Sequence, residues 1–236
     1  MISLIVPFFN EEESVSFVLK EAEEVLRNLG EEFEIIAIDD GSKDKTLENL
    51  LNLKKEIKNL RVLKAKENGG QSSAVWAGII NSKGNILITM DGDGQNVPQD
   101  IPNMLKELQN FDMVVGVRQK RKDNLWKKIS SRVANSFRKI VLGDSFKDIG
   151  CGLRVFKKEI TNFIPPFKTI HRFLPILVLW QGYKVKEIEI KHRERYKGKS
   201  KYGTWGRLKA GLYDLIGMLW LKKRIIKYCV EEINDK

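Results

Sequence analysis

The chain has 236 residues, room for one domain of ordinary size plus a small appendage, and its 42% hydrophobic content lets it bury a core, which excludes a wholly disordered chain. The formal net charge of +11 hides a split: residues 1–100 carry 11 basic and 18 acidic side chains, net −7, while residues 101–236 carry 31 and 13, net +18. The acidic half suits a cation, and the basic half suits phosphates, an anionic membrane surface or nucleic acid.

The first residues, MISLIVPFFNEEE, lack the basic start and long apolar core of a signal peptide, and 2–6 reads as a buried strand. An amphipathic helix follows over 14–29, then a strand over 33–38 that ends abruptly in Asp39-Asp40-Gly41-Ser42. The next predicted elements are a helix over 46–57, a strand over 60–65, the loop Glu67-Asn68-Gly69-Gly70, a helix over 72–81 and a strand over 85–90 ending in Asp91-Gly92-Asp93-Gly94. Continuous apolar strands alternating with helices predict an α/β layer fold around a mostly parallel sheet, with helices on both faces. A fifth strand is expected over 112–117, a strongly basic stretch over 118–139, an apolar helix over 171–181 and a strand over 184–191. The tail from 205 to 226 reads as a helix, with Leu208, Leu212, Leu215 and Leu219 on one face and Lys222-Lys223-Arg224 at its end. The expected division is a catalytic domain over 1–203 and an amphipathic helical tail over 204–236. No run reaches the ~20 apolar residues of a spanning helix, so the chain is expected to lie on a membrane rather than cross it. Cys151 and Cys229 form no CxxC pair, and a reducing setting is the simpler reading.

In a parallel sheet, ligands gather beyond the carboxyl ends of the strands. Three predicted strands deliver polar groups to that rim: Pro7 to Glu11, Asp39-Asp40, and Asp91 to Gln95. Asp91 and Asp93, one residue apart between glycines and followed by Gln95, can share a hard divalent cation, Mn²⁺ or Mg²⁺, that a diphosphate completes. A polar turn bonded to its own backbone is the bland alternative. Of Asp39 and Asp40, alternate strand directions allow one to face the rim, where it can accept bonds from a nucleobase or ribose, while Ser42 or Asp44 caps the next helix. The Gly69-Gly70 loop precedes a helix and can offer N–H groups to a phosphate. No Walker A loop, GxGxxG, metal-spaced histidine pair or Ser–His–Asp arrangement is present.

Arg118 ends the fifth strand on the same rim, and Arg132 and Ser136 are four apart on a helical pattern. Arg154, Arg195, Lys199 and Lys201 follow. Several such cations can offset two or three phosphate charges, or can simply form a solvated or lipid-facing basic surface.

The segments PFFNEE, DDGSKDKT, ENGGQSSAVWAG, MDGDGQ and YKGKSKYG, in that order, resemble family 2 glycosyltransferases of the GT-A fold, most nearly the polyprenyl-phosphate branch that includes the dolichol-phosphate mannosyltransferases. The resemblance covers residues 2–221. It implies that Pro7, Phe9 and Glu11, with Asp39 or Asp40, Gly70 and Asp91, line a nucleotide pocket, and that Asp91, Asp93 and Gln95 hold the metal. It also implies that Arg118, Arg132 and Ser136, with Arg154 and Lys201, meet an acceptor phosphate. Residues 148–154 resemble the branch's D-x-x-x-G-x-R segment, and Arg195 to Lys201 resemble the R-x-x-G-x-S-K loop that closes over the donor diphosphate. The Q-x-x-R-W signature of processive polysaccharide synthases is absent.

The expected reaction is inverting transfer of a sugar from a GDP- or UDP-sugar to a polyprenyl phosphate. Arg118, Arg132 and Arg195 compensate charge, and Asp148 positions the acceptor or a neighbouring arginine. Transfer to a saccharide hydroxyl is the alternative within enzymes, and it would make Asp148 a base. A non-catalytic basic module binding membrane or nucleic acid is the alternative outside them; it leaves the carboxylate rim without a purpose, so nucleic acid is not expected as a partner. The expected place is the cytoplasmic face of the membrane, held peripherally by lipid contact or a membrane-protein partner.

Overall fold

The computed structural model describes residues 1–118, 136–162, 164–194 and 204–225. Among the described residues, seven strands form one sheet: β1 (Ile2–Phe8), β2 (Phe33–Asp39), β3 (Leu60–Lys64), β4 (Ile86–Thr89), β5 (Met113–Arg118), β6 (Arg154–Lys157) and β7 (Val185–Ile190). Their order is β3-β2-β1-β4-β6-β5-β7, and β6 alone runs against the rest. The helices are α1 (Val15–Asn28), α2 (Thr46–Glu56), α3 (Gln71–Asn81), α4 (Ile101–Glu107), α5 (Ile170–Trp180) and α6 (Thr204–Lys222), and residues 136–142 are also helical. The expected α/β architecture is present.

Two layers of helix cover the sheet because the strands are apolar on both faces. On one side Leu4, Val6, Phe8, Ile35 and Ala37 pack against Val15, Val18, Leu19, Ala22 and Leu26 of α1, Leu50 and Leu53 of α2, and Ile101 and Met104 of α4. The spacing of the α1 residues is that of one helical face, and burying each Val or Leu contributes about 1.5–3 kcal/mol. On the other side, strand alternation turns Ile5 and Ile38 toward α3. A Cβ on Gly78 would lie 2.3 Å from Ile5 Cγ2, so only glycine lets α3 approach β1 this closely.

Two elements went unseen in the sequence. The short α4 follows a Pro98–Asp100 turn without a full apolar period. β6 is four residues wedged between β4 and β5, with Thr89 opposite Arg154 and Met113 opposite Phe156. Its pairing is tertiary, and nothing local announces it. Its direction has a consequence for function: the rim that receives the carboxyl ends of β1, β2, β4, β5 and β7 receives the start of β6.

The described residues up to Arg118, with 146–162 and 164–194, form one compact unit, and 136–145 with 204–225 belong to a second. Residues 136–145 therefore group with the tail, rather than the tail standing by itself. In this second unit helix 136–142 ends at Gly143 (φ +69), where Lys222 Nζ donates to Leu142 O at 2.7 Å, and Arg138 pairs with Asp144. On α6, Leu215 of the expected leucine face is buried and Leu219 half-buried, while Leu208 and Leu212 lie outside the residues whose side chains are described. Leu215 and Met218 are buried, while Tyr213, Ile216 and Trp220 are exposed. Among the described residues, no helix is long and apolar enough to cross a membrane.

Candidate active site

The loops leaving β1 and β2 lock together through side chains that donate to and accept from each other's backbone. Asn10, at φ 50, accepts from Lys43 N through Oδ1 (2.7 Å) and gives its own N–H to Ser42 Oγ (2.9 Å). Glu11 N donates to Thr46 Oγ1 at 2.8 Å. Pro7, Phe9 and Glu11 are half-buried along this edge. The two aspartates after β2 divide their work. Asp40 is fully engaged: Oδ1 accepts from Gly69 N (2.9 Å), and Oδ2 accepts from Gly70 N (2.8 Å) and Asn68 Nδ2 (2.9 Å). Burial raises its pKa against the pull of the Gly69 and Gly70 N–H groups, with Asp39 adding to the rise. Among the described residues, Asp39 accepts from Ser42 N, at 3.3 Å through Oδ1. The Gly70 N–H is thus spent on Asp40, which corrects the expectation that this loop offers it to a phosphate.

The loop after β4 is held by contacts that tolerate no extra atom. A Cβ on Gly92 would fall 2.6 Å from both Phe8 Cδ1 and Pro7 O, and Ser14 Oγ donates to Gly92 O at 2.7 Å. A Cβ on Gly152 would fall 2.3 Å from all three carboxylate atoms of Asp91. Asp91 Oδ1 also accepts from Gln71 Nε2 at 2.7 Å, and Asp91 N donates to Asn96 Oδ1 at 3.1 Å. Asp93 Oδ1 accepts from Gln95 N at 3.1 Å, closing a turn that leaves Asp91, Asp93 and Gln95 half-buried on one loop. Two carboxylates and an amide oxygen form a hard donor set, and among the described residues no cluster of three His, Cys, Asp or Glu forms a closed cage. That set fits Mg²⁺ or Mn²⁺, ions that keep few protein ligands and complete their octahedron with phosphate and water.

Across the rim lie cations, brought there by β5 and by the reversed β6. Arg118 forms a two-pronged pair with Asp148, Nε to Oδ2 and Nη2 to Oδ1, both 2.7 Å. Burial alone would lower the Arg118 pKa, but the Asp148 carboxylate outweighs it and the net shift is upward. Asp148 is itself held from β7, where Glu187 Oε1 accepts from Lys147 N (2.8 Å) and Asp148 N (3.2 Å). Arg154 is 3% exposed. Its Nη2 donates to Ile149 O at 2.9 Å and its Nη1 to His171 O, while Nε has no hydrogen-bond partner among the described residues. Burial lowers its pKa, and Cys151, Asp91 and Asp148 counter that. Arg154 is therefore an internal cation behind Asp91 rather than a surface contact for a phosphate. His171 Nδ1 and Ser72 Oγ share a 2.6 Å hydrogen bond, and burial, with Arg154 and Arg172 nearby, pushes the His171 pKa down to about 3. Burial also pushes the Cys151 thiol up to about 11, which removes it as a nucleophile at neutral pH.

The model of Glycosyl transferase family 2 matches residues 3–164. The chain belongs to that family. It is a glycosyltransferase. It is 35% identical over 228 residues to dodecaprenyl-phosphate galacturonate synthase of Rhizobium johnstonii, covering 94% of this chain and 67% of that protein. It is 34% identical over 220 residues to undecaprenyl-phosphate 4-deoxy-4-formamido-L-arabinose transferase of Photorhabdus laumondii, covering 92% and 67%. The chain thus spans about two thirds of the length of these relatives. Among solved structures it is similar to glucosyl-3-phosphoglycerate synthase of Mycobacterium tuberculosis in complex with Mn²⁺, UDP-glucose and glycerol 3-phosphate, with TM-score 0.67, 17% identity and coverage of 96% of this chain and 81% of that one. The shared fold is GT-A.

On this glycosyltransferase rim the structure gathers Pro7, Phe9, Glu11, Asp39, Asp40, Gly70, Asp91, Asp93, Gln95, Arg118 and Asp148 around the strand ends, with Arg154 enclosed behind them. Ser136 is exposed at the start of helix 136–142, in the second unit. Arg132, Arg195, Lys199 and Lys201 lie outside the described residues. Sequence reading missed Gln71, Gly152 and Glu187. Gln71 and Gly152 sit inside motifs already singled out, but only tertiary contact shows that they meet Asp91. Glu187 had no signal in a strand of alternating charge.

Proposed function

We propose that this glycosyltransferase moves a sugar from a nucleoside diphosphate to a polyprenyl phosphate, with inversion at the anomeric carbon. The observation that carries the reading is the opposition, on one rim, of an acidic loop built for a cation and an arginine locked by a carboxylate. The two relatives named for transfer to dodecaprenyl and undecaprenyl phosphate support the acceptor class.

Asp39, buried at the end of β2 and less engaged than Asp40, is the nucleoside contact, beside Pro7, Phe9 and Glu11, while Asp40 shapes the Gly69–Gly70 loop. Asp93 and Gln95, with Asp91 beside them, hold Mn²⁺ or Mg²⁺, which when bound stabilises charge developing on the leaving diphosphate. Gln71, Gly152 and Arg154 fix the Asp91 carboxylate, so its position costs little reorganisation during reaction. Arg118 receives the acceptor phosphate. A phosphate oxygen attacks the anomeric carbon, and the bond to the diphosphate oxygen breaks with its electron pair leaving on the diphosphate. The attacking oxygen is already anionic at neutral pH, so no proton has to be removed. Asp148 fits that chemistry as the residue that aims Arg118: both its oxygens are bonded to a guanidinium, a poor arrangement for a base.

The second unit serves lipid access in this proposal. Tyr213, Ile216 and Trp220 recur at helical spacing on the exposed side of α6, and Lys222, Lys223 and Arg224 follow, also exposed. Aromatic and aliphatic groups flanked by cations match the headgroup region of an anionic leaflet. The test of function is release of nucleoside diphosphate from a panel of UDP- and GDP-sugars with Mn²⁺ or Mg²⁺. Release that depends on undecaprenyl phosphate, with one donor preferred, is expected. Release only with a soluble sugar hydroxyl would overturn the acceptor assignment.

A further inference from the structure

The chain leaving β7 is zipped along the acidic loop. Lys191 N donates to Asp100 Oδ2 at 2.8 Å, His192 bridges Asn96, and Arg193 N donates to Gln95 O at 3.1 Å. The Arg193 side chain then reaches three ways. Nε donates to Gly94 O at 2.6 Å and Nη2 to Asn96 O at 3.2 Å, both on the Asp91–Asn96 loop. Nη1 and Nη2 pair with Glu21 Oε1 and Oε2 of α1. The guanidinium also stacks 4.5 Å from the Phe17 ring centre, on the same helix one turn earlier. Gly94 itself sits at φ +77, a left-handed position that costs little only for glycine and is held here by its carbonyl.

We propose that Arg193 is a positioning residue for the metal loop, fixing the Gly94 carbonyl, and with it the Asp93–Gln95 turn, to the rigid α1 helix through Glu21 and Phe17. The proposal rests on the reading that Asp93 and Gln95 take a divalent cation. A planar fork is required because one side chain must serve a carbonyl, a carboxylate and a ring face at once. Lysine offers a single charge centre and cannot reproduce that set. Arg193 touches no reacting atom. It acts by holding apart the conformations in which Gly94 flips and Asp93 turns away.

The test compares Mn²⁺ binding in wild type, Arg193→Met, Arg193→Lys and Glu21→Gln, reading free Mn²⁺ by EPR in the presence of UDP or GDP, with thermal melts alongside. Arg193→Met keeps the stem over Phe17 and removes the fork. The expected result is a ~10–100-fold weaker Mn²⁺ affinity for Arg193→Met, as for lost outer-layer partners of metal sites. Arg193→Lys and Glu21→Gln should fall between it and wild type. If Arg193→Met does not fold, those two variants carry the test. Wild-type Mn²⁺ affinity in the variants, with or without a lower melting temperature, would reduce Arg193 to a structural brace and overturn the proposal while leaving the metal reading intact. Absence of Mn²⁺ binding in wild type with either nucleotide would overturn the metal reading, and this proposal with it.

Discussion

The two sides of the rim are organised by opposite means. On the side built by β1, β2 and β4, negative charge is held by backbone N–H groups, by an amide side chain and by close glycine backbone: Asp40 by Gly69 and Gly70, Asp91 by Gln71 and against Gly152. On the side built by β5, β6 and β7, positive charge is held by carboxylates, Arg118 by Asp148. The first arrangement has little rotational freedom, because Asp40 is held by main-chain N–H groups and Asp91 is hemmed in by the Gly152 backbone as well as bonded to Gln71. The second joins two side chains that can part when a stronger anion arrives. In the proposed reading the first suits an ion that must sit in one place, and the second suits an acceptor that must enter and leave as a charged lipid.

The most severe way to break the rigid side is to remove its charge. Asp93→Asn is expected to lower donor turnover by ~10²–10³-fold, the scale of losing one preorganised electrostatic contact, and saturating Mn²⁺ should restore it only in part. Steady-state kinetics across a metal titration checks this, and full activity at ordinary Mn²⁺ levels would contradict it. Gly152→Ala comes next. Its Cβ would enter the Asp91 carboxylate at 2.3 Å, so displacement of about 1 Å and a ~10²-fold loss of rate are expected. Overpacking should also cost about 1–3 kcal/mol of stability, visible in a melt.

On the pliable side the effects are smaller. Asp148→Asn keeps the shape but not the charge that aims Arg118, and it should raise the acceptor KM by ~10-fold with kcat nearly kept, from a loss of about 1.5–3 kcal/mol at most in a charged hydrogen bond. A collapse of kcat with a shifted pH profile would instead mark Asp148 as a base.

Beneath both sides, His171 makes a prediction about stability rather than rate. Its folded pKa of about 3 lies below the ordinary 6.5, so between those values the unfolded chain takes up a proton that the folded chain refuses. Its stabilising contribution is complete above pH 6.5 and is lost as pH falls toward 3, at a limiting slope of about 1.4 kcal/mol per pH unit. Denaturant titrations from pH 7 to 4 should show a shallower slope for His171→Gln.

Much of this was legible in the chain itself. Strands buried on both faces write themselves as apolar runs, and each of β1, β2 and β4 ends where polar residues begin, so the rim could be located from order alone. What could not be read was anything that depends on a non-local partner. β6 has no pattern of its own, and its reversal brings the 148–154 segment to the rim by its start. Arg154 was expected at an acceptor phosphate from the resemblance and from the match of its fork to phosphate, but the pairing of β6 between β4 and β5 encloses it. The same limit applies to Asp39 and Asp40: alternation says that they differ, but only the Gly69–Gly70 loop decides which one is occupied. On α6 the leucine spacing announced the buried Leu215, while the exposed Tyr213, Ile216 and Trp220 were the less obvious side.

The division of the rim is tested most directly by measuring donor and acceptor KM separately, with undecaprenyl phosphate, for Asp93→Asn and Arg118→Gln in the same preparation. The account predicts that Asp93→Asn raises the donor and metal requirement and leaves the acceptor KM in place, while Arg118→Gln raises the acceptor KM and leaves the donor KM in place. If either variant moved both constants equally, the two sides would not be separate sites, and the assignment of one to the diphosphate and the other to the acceptor phosphate would be wrong.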